Sequence, residues 1–255
     1  MSRSKKHGLH QVFLELFSGS ARLSRCAQTY GYGAVSLDIS MGHHGDLTNP
    51  IVGQVVRSWL KSRMICALWI ATPCSSWSRA RRDLYGGGPR SRQAIFGIPN
   101  LSAVDQRRVA AGNATAVASA KFLRAACKAR VPRGLENPRN SLLWACPPIA
   151  AAVRAGEIRS VDFCSYGAPW RKRTGLCFWG CPPAERFRPL CRGRGGRCSS
   201  TGKPRVRLQG NDANNQPRTK TAEPYPELLC VDVWKHLAQA VENNALHRRF
   251  QLAKV

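Results

Sequence analysis

Four places along this chain carry side chains suited to chemistry as well as packing. Cys74 follows Pro73 just after an apolar run at 65–70, with Ser75, Ser76 and Trp77 behind it. A thiol in a polar, positively charged setting ionises readily and becomes a nucleophile, and Arg79, Arg81 and Arg82 supply that charge. Without such surroundings the same thiol is an inert core group. Glu136-Asn137-Pro138 closes another short run. A half-buried carboxyl there can keep its proton near neutral pH and act as an acid; the plainer alternative is a capping Asn137 and a solvent-facing Glu136. Phe17-Ser18-Gly19-Ser20 interrupts a third run, where small residues at a strand-to-helix turn let a ligand approach the backbone. Asp38 and Ile39 end the next run, where a carboxylate can accept from ribose hydroxyls. Gly45-Asp46-Leu47-Thr48 adds a second acid suited to an adenine amino group. These turns alone do not separate a dinucleotide from S-adenosylmethionine.

The elements that position these residues alternate in type. Runs at 11–17, 34–39 and 65–70 read as strands, and a short one leads into Leu135-Glu136-Asn137. Between them, 21–30 reads as a helix, and Ile51, Val52, Val55, Val56, Trp59 and Leu60 recur at helical spacing. An Ala-rich stretch at 104–128 makes a third helix. This β-α-β-α-β-α-β order predicts a doubly wound, mostly parallel α/β sheet with helices on both faces, whose ligands lie beyond the carboxyl ends of the strands. All four chemical sites fall at such ends. Further on, 160–166 and 174–179 read as paired strands around Gly167-Ala168-Pro169, and 228–246 as a closing helix. Residues 79–100 read as a mobile basic loop.

The charge balance narrows the partner. Forty Lys and Arg face 14 Asp and Glu, a net charge of +26, with 43% hydrophobic residues. Such a chain can bury a core and calls for a polyanion, with nucleic acid ahead of an acidic membrane surface. Most of the bases are Arg, which suits bidentate phosphate contacts, although a GC-rich genome also enriches Arg and Ala. No apolar run is long enough to span a bilayer, and the first ten residues lack the apolar core of a signal peptide. Eleven cysteines, an odd number, fit reduced thiols inside a cell. The expected location is intracellular, and nuclear in a eukaryote.

Taken in order, Leu16-Phe17-Ser18-Gly19, Asp38, Gly45-Asp46-Leu47-Thr48, Pro73-Cys74, Glu136-Asn137 and Tyr166-Gly167-Ala168-Pro169 resemble the motifs of the cytosine-5 DNA methyltransferases. The stretch Tyr-Gly-x-Pro-x-Arg-Lys-Arg-Thr is similar to a divergent phage and mobile-element branch of that family. The resemblance spans most of 11–175. It implies methylation of cytosine carbon 5 in a base flipped out of DNA, with Cys74 adding to ring carbon 6, Glu136 assisting at ring nitrogen 3, and Asn137 positioning Glu136. It implies that Arg171 or Arg173 holds the base carbonyl or a phosphate. Phe17, Ser18, Gly19, Asp38, Ile39, Asp46, Leu47 and Pro73 would bind S-adenosylmethionine.

The pattern departs from the family in identifiable places. Ala21 stands for a second glycine, Ser75 for Gln and Pro138 for Val. Trp170 stands for Gln, which leaves the register of Arg171-Lys172-Arg173 open by one. Thr221-Ala222-Glu223-Pro224-Tyr225-Pro226 is a weak match to the family's C-terminal cofactor motif. The long recognition region is nearly absent. The expected organisation is a catalytic domain of 1–175 with 221–255 and a basic recognition insert at 176–220. Within 186–220, ten basic residues face one acidic residue. In the insert, Cys177, Cys181, Cys191 and Cys198 could bind zinc, but their spacing lacks paired Cys-x-x-Cys knuckles, Cys177 can instead point inward from a strand, and thiols without metal are the plainer reading. Two alternatives stay open: a nucleic-acid-binding protein with this fold but no catalysis, and an enzyme acting on structured RNA.

Overall fold

The computed structural model describes residues 12–78, 88–183, 187–214 and 216–252, with side chains to 245. The chain is α/β, built on one six-stranded mixed sheet that is mostly parallel and compatible with a Rossmann-like fold. Its strands are β1 (Val12–Leu16), β2 (Gly33–Leu37), β3 (Ile65–Ile70), β4 (Arg133–Pro138), β5 (Glu157–Asp162) and β6 (Arg173–Trp179). They lie in the order β2-β1-β3-β4-β6-β5. β1 pairs in parallel with β2 and β3, and β3 with β4. β6 runs antiparallel to both β4 and β5. The strand order therefore reverses at β1 and β3, and a crevice opens beyond their carboxyl ends, where sheets of this kind take ligands.

Among the described residues five helices cover the sheet: α1 (Arg22–Thr29), α2 (Pro50–Lys61), α3 (Ala103–Lys128), α4 (Pro147–Val153) and α5 (Glu227–Leu252). Successive residues of a strand point to opposite faces, and β1 shows this directly. Leu14 and Leu16 join Leu68 and Ile70 against Val56 and Leu60 of α2, Phe122 and Leu123 of α3 and Ile149 of α4. Phe13 joins Ala67, Trp69 and Phe178 against Leu23 of α1 and Leu229, Trp234 and Leu237 of α5. β3 is buried along almost its whole length, hence its unbroken apolar sequence Ile-Cys-Ala-Leu-Trp-Ile. Local signals start the helices. The Asn49 side chain accepts from Ile51 N ahead of Pro50 at the first turn of α2, and Ser102 accepts from Asp105 N at the start of α3.

Three expectations change in detail. The strand expected at 34–39 stops at Leu37, because Asp38 turns the chain into a single 3-10 turn, Ile39–Met41, by accepting from Ser40 N. The strand expected at 160–166 ends at Asp162, and Phe163–Tyr166 is again a 3-10 turn. Of the basic stretch 79–100, residues 79–87, with Arg79, Arg81 and Arg82, lie outside the described residues. Its remainder is pinned rather than loose. Arg90 is buried, stacks 3.5 Å above the Trp77 ring, and donates to Ser76 O, Ile95 O, Asn113 Oδ1 and Val109 O. Among the described residues no helix is long and apolar enough to cross a membrane.

Candidate functional site

The turn after β1 and the loop after β3 border the same crevice. Ala71 N donates to Leu16 O, which ties the two strand ends together. In the first turn Phe17, Gly19 and Ala21 all have positive φ, at 55°, 49° and 51°. Glycine adopts that conformation freely, whereas Ala21 bears roughly 1–2 kcal/mol of strain in it. Asp38 reaches across from β2, its Oδ2 accepting from Gly19 N at 2.9 Å and its Oδ1 from Ser40 N at 3.0 Å. It thus holds the turn in shape, while space stays open above Gly19 and Ile39 lies 64% exposed beside it. Asp46 accepts from Thr48 N and Oγ1, and these bonds hold its carboxyl below the usual range. Leu47 is buried in the core, and Pro73 is exposed in the crevice loop.

The loop carrying Cys74 is fixed on both sides. In front, Asn137 Nδ2 donates to Thr72 O at 2.7 Å, and the Thr72 and Ser119 hydroxyls lie 2.7 Å apart. Behind, Trp77 N and Ser78 N both donate to Cys74 O, and Trp77 Nε1 donates to Gly112 O of α3. A β-carbon at Gly112 would collide with the Ser76 hydroxyl and the Arg90 guanidinium, so glycine alone permits this close approach.

Glu136 is buried at the end of β4, next to β3. Its Oε2 accepts from the Tyr225 hydroxyl at 3.2 Å, and that hydroxyl accepts from Trp69 Nε1 at 3.2 Å. Lys172 Nζ lies 3.9 Å from Glu136 Oε1, donates to Ala222 O and sits 4.8 Å over the Phe163 ring. Glu136 Oε1 and Asn137 Oδ1 are both buried with no hydrogen-bond partner among the described residues. Burial pushes the Glu136 carboxyl up; Lys172 and Tyr225 oppose that shift. Burial also pushes the Cys74 thiol up, against the sequence expectation of an activated thiol. Lys172 pulls it back, while Glu136 and Glu223 add to the rise. Cys74, Glu136 and Lys172 are thus one electrostatic unit.

Arg171 and Arg173 are not part of that unit. Both turn to Asp162, a fully buried carboxylate at the end of β5. Arg173 binds it through two bonds of 3.0 and 2.8 Å, and Arg171 Nε lies 3.4 Å away. Burial alone would raise the Asp162 pKa, but the Arg173 and Arg171 guanidiniums outweigh it and hold the carboxyl low. Alternation along the chain sends Lys172, between the two, toward Glu136 instead. Sequence reasoning left this register open. It also missed Tyr225 and Asp162 as site-building groups. A cleft of about 290 Å³ opens just past β4, with Arg92, Arg139 and Trp144 among its lining residues.

Of the four cysteines named as able to bind zinc, two come together with a third that was not named. Cys177 is buried in β6, and Cys181, like Cys177, acts electrostatically on Arg133. Cys191 and Cys198 gather instead with Cys164, from the 3-10 turn after β5, in a buried triad that could hold a metal ion. No family model matches the chain, and no curated protein does.

Proposed function

We propose that this chain is an S-adenosylmethionine-dependent methyltransferase acting on carbon 5 of cytosine in DNA. The observation that carries the reading is the pairing, beside the crevice of a mostly parallel sheet, of Cys74 with a buried Glu136 whose Oε1 has no hydrogen-bond partner among the described residues. The order of the six motif stretches along the chain supports it, as does the charge of +26. The residues present fit the cofactor. Open space above Gly19, the Asp38 carboxylate and the exposed Ile39 offer a place for a ribose and an adenine, with Phe17, Ser18, Asp46, Leu47 and Pro73 around them. When bound, S-adenosylmethionine supplies an electrophilic methyl group.

The protein's own groups do the rest. The target cytosine leaves the stack, since its ring cannot be reached within a duplex. The Cys74 sulfur adds to ring carbon 6 as Glu136 hands a proton to ring nitrogen 3, which prevents charge from building on the ring. Carbon 5 thereby becomes nucleophilic. Once it carries the methyl group, its proton passes to water, the electrons of that C–H bond restore the ring double bond, Cys74 leaves as the thiolate, and ring nitrogen 3 returns its proton to Glu136. Lys172 favours the thiolate during attack and orients Glu136. Asn137 holds the Cys74 loop through Thr72 O. Arg92 and Arg139, with the bases of 186–220 inside the recognition insert 176–220, track phosphates. Acting on DNA puts the protein where DNA is, the nucleus in a eukaryotic cell.

Incubation with labelled S-adenosylmethionine and cytosine-containing DNA should transfer label. Duplex containing 5-fluorocytosine should trap a covalent adduct that Cys74→Ser abolishes. An adduct formed by the serine variant would overturn the nucleophile. Transfer to structured RNA alone would change the substrate class, and transfer to neither would leave a binding protein.

A further inference from the structure

We infer that Cys164, Cys191 and Cys198 form a zinc site that folds the loop 187–206 onto the sheet. The sulfurs all lie within 4.8 Å of one another, and those of Cys191 and Cys198 are 3.8 Å apart. Tetrahedral zinc with Zn–S bonds of about 2.3 Å spaces its sulfurs at roughly this distance, whereas a disulfide needs about 2.05 Å.

The loop is wound to present negative sulfur. Cys191 Sγ accepts from Ser199 N at 3.4 Å and from the Ser199 hydroxyl at 3.6 Å, with Arg205 Nη1 3.8 Å away. Cys198 Sγ lies 3.6 Å from Cys164 O, so the second sulfur is turned back onto the turn that carries the third. Three buried sulfurs gathered this closely without a bond between them make an incomplete arrangement. A divalent cation completes it, taking three thiolates and releasing the remaining thiol protons to solvent. Thiolate ligands favour zinc over the hard cations magnesium and calcium. No fourth Cys, His or acid joins the group among the described residues.

Two features of the loop agree. A β-carbon at Gly193 would collide with Arg197 O and come within 2.7 Å of Ser199 N, so the turn closes this tightly only with glycine there. Among the described residues of 187–217, Cys191 and Cys198 alone are buried. A segment burying so little apolar surface needs another source of order, and a metal supplies it. Cys191 also passes the constraint inward, its N–H donating to Asp162 Oδ2 at 3.0 Å and its carbonyl accepting from Arg171 at 3.0 Å.

The test uses the full chain produced with zinc. Elemental analysis should find about one zinc per chain, retained in Cys181→Ser and lost in Cys191→Ser and Cys198→Ser, with circular dichroism confirming that each variant is folded. Cobalt exchanged into the site should give the thiolate-to-metal absorption and the strong visible bands of tetrahedral coordination. Chelation should expose 187–217 to protease while the sheet resists. Folded wild type without metal, zinc that survives both Cys191→Ser and Cys198→Ser, or a chelator that leaves protease protection unchanged would each overturn the assignment.

Discussion

The strand ends of β1 to β4 and the loop 187–217 both hold functional side chains in place, by opposite means. Cys74 sits four residues past β3 and Glu136 within β4, strands whose Leu68, Ile70 and Leu135 are fully buried, and Asp38 follows β2, which pairs with β1 and its fully buried Leu14 and Leu16. Their positions follow from apolar packing, which is non-directional and spread over many residues. Among its described residues the loop has isolated bridges in place of strands, Trp170 with Val206, Arg197 with Pro204 and Asn211 with Pro217. Apart from Phe187, which stacks on Phe178, its position rests on directional links: Arg188 N to the Tyr166 hydroxyl, Val206 N to Pro169 O, and those of Cys191, Cys198 and Asp162. The first kind of support tolerates polar changes at its rim, and the second fails at single atoms.

Three substitutions sharpen or break that contrast. The largest effect is expected from Glu136→Gln. It should slow methyl transfer by roughly 100- to 10,000-fold, the usual worth of a general acid, yet shift the melting temperature little, because the amide fills the same buried site without a charge to desolvate. A cooperative loss of fold would show instead that the strand end depends on polar links.

Next is Glu15, buried in β1 and bonded by Ser24 N and Oγ at 2.7 and 2.6 Å. Burial lifts its carboxyl from 4.5 to about 7 in spite of those bonds. Between those values the folded protein keeps a proton that the unfolded chain has released, so Glu15 makes stability fall as pH rises from about 4.5 to about 7, then level off. The whole effect is about 3 kcal/mol. Glu15→Gln should flatten that slope and stabilise the protein by a similar amount at pH 8, read by urea unfolding across pH. An unchanged slope would refute it.

The smallest effect is expected from Asp162→Asn, which removes the charge that Arg171, Arg173 and Cys191 N share. A loss of about 2 kcal/mol is expected, given that both guanidiniums are partly solvated. Protease cleavage should rise in 187–217 before it rises in the sheet. Uniform loosening of sheet and loop together would erase the distinction between the two regions.

How far the sequence could be read follows the same division. The order of strands and helices, the short α4 excepted, was legible because apolar periodicity is local, and the placement of Glu136, Cys74 and Asp38 was legible because they stand near the ends of such runs. Lys172 was hidden behind a one-residue register, since Arg171, Lys172 and Arg173 are alike in type and only alternation about Asp162 decides which turns inward. Cys164 was hidden by distance: it lies 27 positions before Cys191 in a different element, so no spacing rule connects them. Tyr225 was visible only as part of a weak match, because a tyrosine hydroxyl has no periodic signature.

Tyr225 also governs when the site can exist. Its hydroxyl reaches Glu136 across 89 positions, and its carbonyl accepts from Arg22 across 203. During synthesis the strands that bear Cys74 and Glu136 emerge long before the residue that braces them. On the proposed function a growing chain this basic already meets nucleic acid, but its carboxyl stays unbraced until residue 225 has cleared the ribosome. Attachment would then precede competence, a delay built into the order of the chain itself.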